Sequence, residues 1–178
     1  MPRRLLLGRL LPGRPRSARL PLGRLVSLPV AALLLVAACS SSQPPPQVTF
    51  AAGQASVVAR PAQYCNLKLT DCTGDPAAPV VLTVPVGTPL KVTVPHEIAA
   101  TPWQVVFSYR DAGGAQTDGR SPVFAPNAQS DYTLELPAPE DRLVGAQVQQ
   151  FGPPPQANAE TGEIEFPIRA SWVLSTNG

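Results

Sequence analysis

Few side chains in this chain are suited to moving a proton, attacking a carbon or holding a metal. There is a single histidine and three cysteines, Cys39, Cys65 and Cys72. Cys65 and Cys72 stand in Y-C-N-L-K-L-T-D-C, too far apart for a C-x-x-C redox or zinc motif, and no other cluster of ligands accompanies them. His96-Glu97 is the one place where a general base adjoins a carboxylate. A lone histidine beside Pro95 at a strand end reads first as a surface or capping residue. A Ser-His-Asp relay would have to recruit Ser108, Ser121 or Ser171 without the G-x-S-x-G elbow that sharpens such a serine. Asp111 and Asp118 flank the Gly-rich stretch D-A-G-G-A-Q-T-D-G, which lacks calcium-loop spacing. Aspartates and glycines in that density mark a turn, and Arg120 adds a charge pair to it. No catalytic residue, metal ligand or cofactor is assigned. The residues point away from an enzyme, with an enzyme built on His96 as the weakest alternative.

Cys39 carries a different chemistry. Seven arginines and no acid precede it, and it directly follows the apolar run V-A-A-L-L-L-V-A-A. A basic segment, a short apolar segment and small residues before a cleavage point make a signal peptide over residues 1–38. The apolar run from Pro29 to Ala38 is far short of the ~20 residues needed to span a bilayer. A cysteine immediately after Val36-Ala37-Ala38 matches the bacterial lipobox, in which the thiol receives a diacylglycerol before signal peptidase II cuts. The expected location is the extracytoplasmic face of the cell membrane, with the lipid as anchor. Residues 39–47, C-S-S-S-Q-P-P-P-Q, then read as the lipidated cysteine and a flexible Ser/Pro tether.

Cleavage at Cys39 changes the electrostatics. The precursor is formally +2, but the seven leader arginines leave with the signal and all twelve acids stay. Residues 39–178 keep seven basic side chains against those twelve acids, a net −5. An acidic domain with no basic cluster is a poor partner for nucleic acid. It also has no electrostatic attraction to anionic lipid, so membrane attachment rests on the anchor. With Cys39 assigned to lipid, Cys65 and Cys72 remain as a pair in an exported protein, and a structural disulfide follows.

The elements that must position these residues are strands. Residues 48–178 are enough for one domain with a core. Val48–Phe50, Ser56–Ala59 and Leu67–Leu69 are short strand candidates, and prolines bracket Val80–Val84 and Leu90–Val94. Pro95–Ala100 suits one helical turn. Trp103, Val105, Phe107 and Tyr109 share one face of the clearest strand, 103–110. Residues 111–119 form its hairpin loop and Ser121–Ala125 the return strand. Strands follow at 131–136 and 143–151, then a loop over 152–163 and a closing strand within 164–175. Seven to nine short strands without a helical period predict an all-β, immunoglobulin-like antiparallel sandwich, with a closed barrel as the alternative.

The segments Q-Y-C-N-L-K-L-T-D-C (63–72), T-P-W-Q-V-V-F-S-Y-R-D (101–111), D-G-R-S-P-V-F-A-P (118–126) and E-F-P-I-R-A-S-W-V-L-S (165–175) resemble a family of actinobacterial, mycobacterial-type lipoproteins classed as a domain of unknown function. The resemblance spans almost the whole domain. It implies an envelope lipoprotein with one extracytoplasmic β domain and brings no catalytic residues. The expected function is a binding or scaffolding module that meets an envelope protein, glycan or lipid through its loops, with Asp111, Asp118 and Arg120 on the candidate interaction loop. The alternative is a lipid or glycan carrier, which would need an internal apolar cavity.

Overall fold

The computed structural model describes residues 44–157, 160–162 and 164–177; the signal segment 1–38, Cys39 and residues 40–43 of the tether lie outside them. Among the described residues the regular structure is almost entirely β. The strands are β1 (Val48–Ala52), β2 (Ala55–Ala59), β3 (Gln63–Cys65), β4 (Cys72–Gly74), β5 (Val80–Leu82), β6 (Leu90–Thr93), β7 (Trp103–Arg110), β8 (Gln116–Arg120), β9 (Asp131–Leu134), β10 (Arg142–Phe151), β11 (Gln156–Ala157), β12 (Ile164–Glu165) and β13 (Ile168–Thr176). One helical turn, α1 (His96–Ala99), follows β6.

Two sheets make the sandwich. One runs β2-β1-β6-β9 and the other β4-β3-β13-β10-β7-β8, with β5 also paired to β13; β11 and β12 form a separate ribbon. The inner faces obey the period of two. Val48, Phe50, Leu90, Val92 and Leu134 come from the smaller sheet, and Trp103, Val105, Ala146, Val148, Trp172 and Leu174 from the larger. These side chains are all buried, and both tryptophans are fully so. Their apolar area removed from water is the main stabilising term, about 25 cal/mol per Å².

The register locates the ends. Thr49 pairs with Thr93, Trp103 with Gln150, and Phe151 with Ile168. In the smaller sheet the start of β1 therefore lies beside the finish of β6, and in the larger sheet the starts of β7 and β13 lie beside the finish of β10. Gln150, 1 % exposed, ties that end of the larger sheet to the α1 connection that follows β6. Its Nε2 donates to the carbonyl of Glu97 in α1 at 3.1 Å and to Thr101 Oγ1 at 2.8 Å.

Several expectations shift. The strand count is higher than seven to nine, because β3, β4, β5, β11 and β12 are too short to show alternation. The pairing of β5 with β13 is parallel, so the sandwich is not wholly antiparallel. Leu67–Leu69 is a turn, since the Asn66 side chain takes the backbone donors that a ladder would use. The return strand is 116–120 and not 121–125. Beyond it, Phe124 keeps only a bridge to Trp103. β8 is a polar edge strand, so it lacks an apolar alternation to read. Finally, Pro44–Gln47 is not free tether. The carbonyl of Pro46 accepts a hydrogen bond from Trp172 Nε1 at 2.9 Å.

Candidate functional site

The predicted site residues fall in three separate places. Cys65 and Cys72 face each other in the β3–β4 hairpin and are joined by a disulfide. Between them Asn66 Oδ1 accepts from the backbone of Lys68 at 3.0 Å and of Thr70 at 3.1 Å, while its Nδ2 donates to Thr70 Oγ1 at 3.0 Å. Leu69 sits at φ +57°, a conformation that costs a leucine energy and persists because these bonds over-determine it. Arg169 braces the hairpin from β13. Its Nε donates to the Cys65 carbonyl at 3.0 Å and its Nη2 to the Tyr64 hydroxyl at 3.1 Å.

His96 opens α1 and is exposed. The depression beside it is lined by Val94, Ala99, Asn127, Gln129 and Ser130, with no carboxylate. Among the described residues, no group of three His, Cys, Asp or Glu side chains could hold a metal ion. Asp131, a carboxylate at the start of β9, directly follows Ser130 at the edge of that depression. That carboxyl is held below its ordinary value of 3.8, first by the Thr93 hydroxyl, 2.7 Å away, against the opposing effect of burial and with help from Lys91.

Asp111, Asp118 and Arg120 are not on one loop. Asp111 closes the β7–β8 turn: its Oδ1 accepts from Ala115 N–H at 2.9 Å, and its carbonyl accepts from Gly114 N–H. Gly114 at φ +84° supplies the left-handed step that this turn requires. Asp118 and Arg120 lie on β8, where they pair with Ser108 and Val106. They head two cross-strand rows on the outer face of the larger sheet. One row is Arg120, Val106, Gln147 and Val173. The other is Asp118, Ser108, Gly145 and Ser175.

The second row is built from small residues, and this makes a trough. The register shifts between Leu143 and Gly145, a bulge that brings Gly145 close to β13. A Cβ on Gly145 would stand 2.9 Å from the Leu174 carbonyl oxygen, so glycine is needed there. The resulting open groove of about 540 Å³ crosses β8, β7, β10 and β13. Three inter-strand spacings of ~4.8 Å make it roughly 14 Å long. Serine hydroxyls, the Gln147 amide, a carboxylate and a guanidinium line it, all able to hydrogen-bond, with Val106 and Val173 between them. At its far side the Gln104 Nε2 donates to Gln149 Oε1 at 2.9 Å, which fixes both amides. Sequence reasoning found Asp118 and Arg120, named Ser108 only as a serine that a catalytic relay would have to recruit, and missed Gly145, Gln147 and Ser175. Only cross-strand register brings them into line; the one local signal was Gly145 inside an otherwise well-formed strand.

Comparison with known proteins adds one match. The family described as "Protein of unknown function (DUF2771)" matches residues 41–177. No curated protein and no solved structure matches the chain.

Proposed function

The chain belongs to the DUF2771 family of proteins of unknown function, and we propose that it is a non-enzymatic binding module of the cell envelope, anchored at the extracytoplasmic face of the membrane through lipid on Cys39. Its ligand is a hydroxyl-rich glycan, laid along the trough. The observation that carries this reading is the row Asp118, Ser108, Gly145 and Ser175, cut across four strands. A sugar hydroxyl both donates and accepts. Serine hydroxyls and the Gln147 amide do the same, while Asp118 accepts and Arg120 donates. A trough of roughly 14 Å admits a short run of sugar units. Its one aromatic lining residue, Phe107, packs against the core, so the affinity comes from hydrogen bonds and is modest.

Other readings have less support. An enzyme would need groups poised for proton transfer or nucleophilic attack. His96 stands in its own depression without a carboxylate. A carrier would need an apolar void, whereas Trp103, Trp172 and Phe50 fill the space between the sheets.

Retention of the purified mature protein on isolated envelope glycan tests the proposal. Ser108→Arg, which fills the trough from an outward-facing position, should abolish retention at an unchanged melting temperature. Full retention by a folded Ser108→Arg protein would overturn the trough as the site. The anchor is tested separately: Cys39→Ala should eliminate lipid labelling and leave an uncleaved precursor.

A further inference from the structure

The anchored end of the sandwich carries exposed apolar side chains that the glycan trough does not use. Leu67 is 72 % exposed at the tip of the β3–β4 hairpin, and Ile164 and Phe166 are each 58 % exposed. Contacts place both segments at one end. A Cβ on Gly152 would lie 3.4 Å from Leu69 Cδ2, and the Phe166 ring centroid is 6.0 Å from that of Phe151. Phe151 ends β10 and Gly152 follows it; Gln150 beside them donates to the Glu97 carbonyl just after β6, whose finish pairs with the start of β1.

We infer that this end is a membrane-seating surface: Leu67, Ile164 and Phe166 enter the interfacial region of the lipid bilayer that holds the anchor, and so set the domain's orientation on it. The inference rests on the anchor reading above. Its first support is reach. Pro44, Pro45 and Gln47 lie against Arg60, Tyr64 and Thr73, at the base of the same hairpin. Only five residue steps join Pro44 to Cys39, and five extended residues span at most ~18 Å. This end of the domain is therefore kept beside the bilayer, and the β7–β8 turn points away.

The second support is rigidity. The disulfide and the Asn66 bonds hold Leu67 outward in a fixed tip, with Leu69 at positive φ packed toward Gly152. A preformed apolar tip enters an interface without first losing conformational entropy. Charge plays a small part. Lys68 is offset by Asp71 in the same loop, and Glu160, Glu163 and Glu165 make the sequence around Ile164 and Phe166 acidic, so charge gives no attraction and the seating rests on apolar contact with a zwitterionic bilayer.

The test places a reporter tryptophan at each end. Leu67→Trp and Phe166→Trp report the seated end and Ala112→Trp the far turn; native Trp103 and Trp172 are buried and subtracted as background. The protein matured in its producing cell is reconstituted into phosphatidylcholine vesicles with brominated acyl chains, with melting curves as the folding control. Emission from positions 67 and 166 should fall by about half and shift to the blue, unchanged in high salt, and that from position 112 should not change. Unquenched emission from 67 and 166 in a folded, vesicle-bound protein would overturn the inference and leave the patch to a protein partner. The mass of the Cys39 peptide decides the anchor independently. If Cys39 proves unmodified, the same variants are coupled through its thiol to maleimide-headgroup lipid. Quenching there upholds the seating surface while the natural anchor reading fails, and its absence overturns the inference.

Discussion

The indole Nε1 of Trp172 donates to the carbonyl oxygen of Pro46 at 2.9 Å, joining a core strand to the segment that precedes the first strand. This bond makes the proline run part of the domain. Trp172→Phe keeps most of the buried ring but removes the donor. It should destabilise the fold by roughly 1–3 kcal/mol, from the lost bond and the space left behind. The same variant should become more readily cleaved by protease near residues 44–47. Denaturant melts and peptide mapping measure both, and unchanged cleavage would show that the bond does not hold the segment.

The Cys65–Cys72 disulfide closes a small loop, so in the chain-entropy model it contributes about 2–3 kcal/mol. The double variant Cys65→Ala, Cys72→Ala should lose stability by that amount while keeping a β circular-dichroism spectrum. Leu69, no longer held, should relax from positive φ, visible as increased hydrogen exchange over 66–71. Two freely alkylatable thiols at Cys65 and Cys72 in the purified protein would contradict the bond itself.

Gly145→Ala brings a Cβ to 2.9 Å from a backbone carbonyl oxygen that cannot swing aside. The two central strands must separate locally, and a loss of about 1–3 kcal/mol is expected. Ser108→Arg on the neighbouring strand faces outward and should cost under roughly 0.5 kcal/mol. Equal melting temperatures for the two variants would mean that the bulge accommodates a side chain.

Asp131 couples stability to acid. A carboxyl depressed in the fold binds its proton more weakly there than in the unfolded chain. It therefore stabilises the fold at pH above the unfolded value, and that contribution fades as pH falls through the folded value, below 3.8. Thr93→Val removes the hydroxyl that contributes most, so the carboxyl should titrate closer to its ordinary value. Carbon-detected NMR titration of Asp131 reads this directly. The group is exposed, so the change in the acid unfolding midpoint should be small.

His96→Ala should leave glycan retention and complementation of a deletion strain intact, because the histidine lies in a depression apart from the trough. Asp118→Ala and Arg120→Ala should each weaken retention without changing the melt. Loss of function with a normally folded His96→Ala protein would shift the case toward an enzyme.

Local residue types decided the β class, the main strands and the cysteine pairing. Alternation of Trp103, Val105 and Phe107 survives into the fold because a strand with one buried face must repeat every two residues. The disulfide was legible because Cys65 and Cys72 stand close in sequence and remain as a pair once Cys39 is read as a lipid site. Short and edge strands were not legible, since three residues carry no period and β8 is polar on both faces. The candidate site was half visible. Asp118 and Arg120 stood out by charge, but were assigned to a loop because an Asp-Gly pair near a hairpin resembles a turn. What only the tertiary structure decided was register: which serine meets which glycine across four strands, and which end of the sandwich meets Pro46. Those contacts join residues tens of positions apart, and neither a local propensity nor a periodicity encodes the pairing of one strand with another.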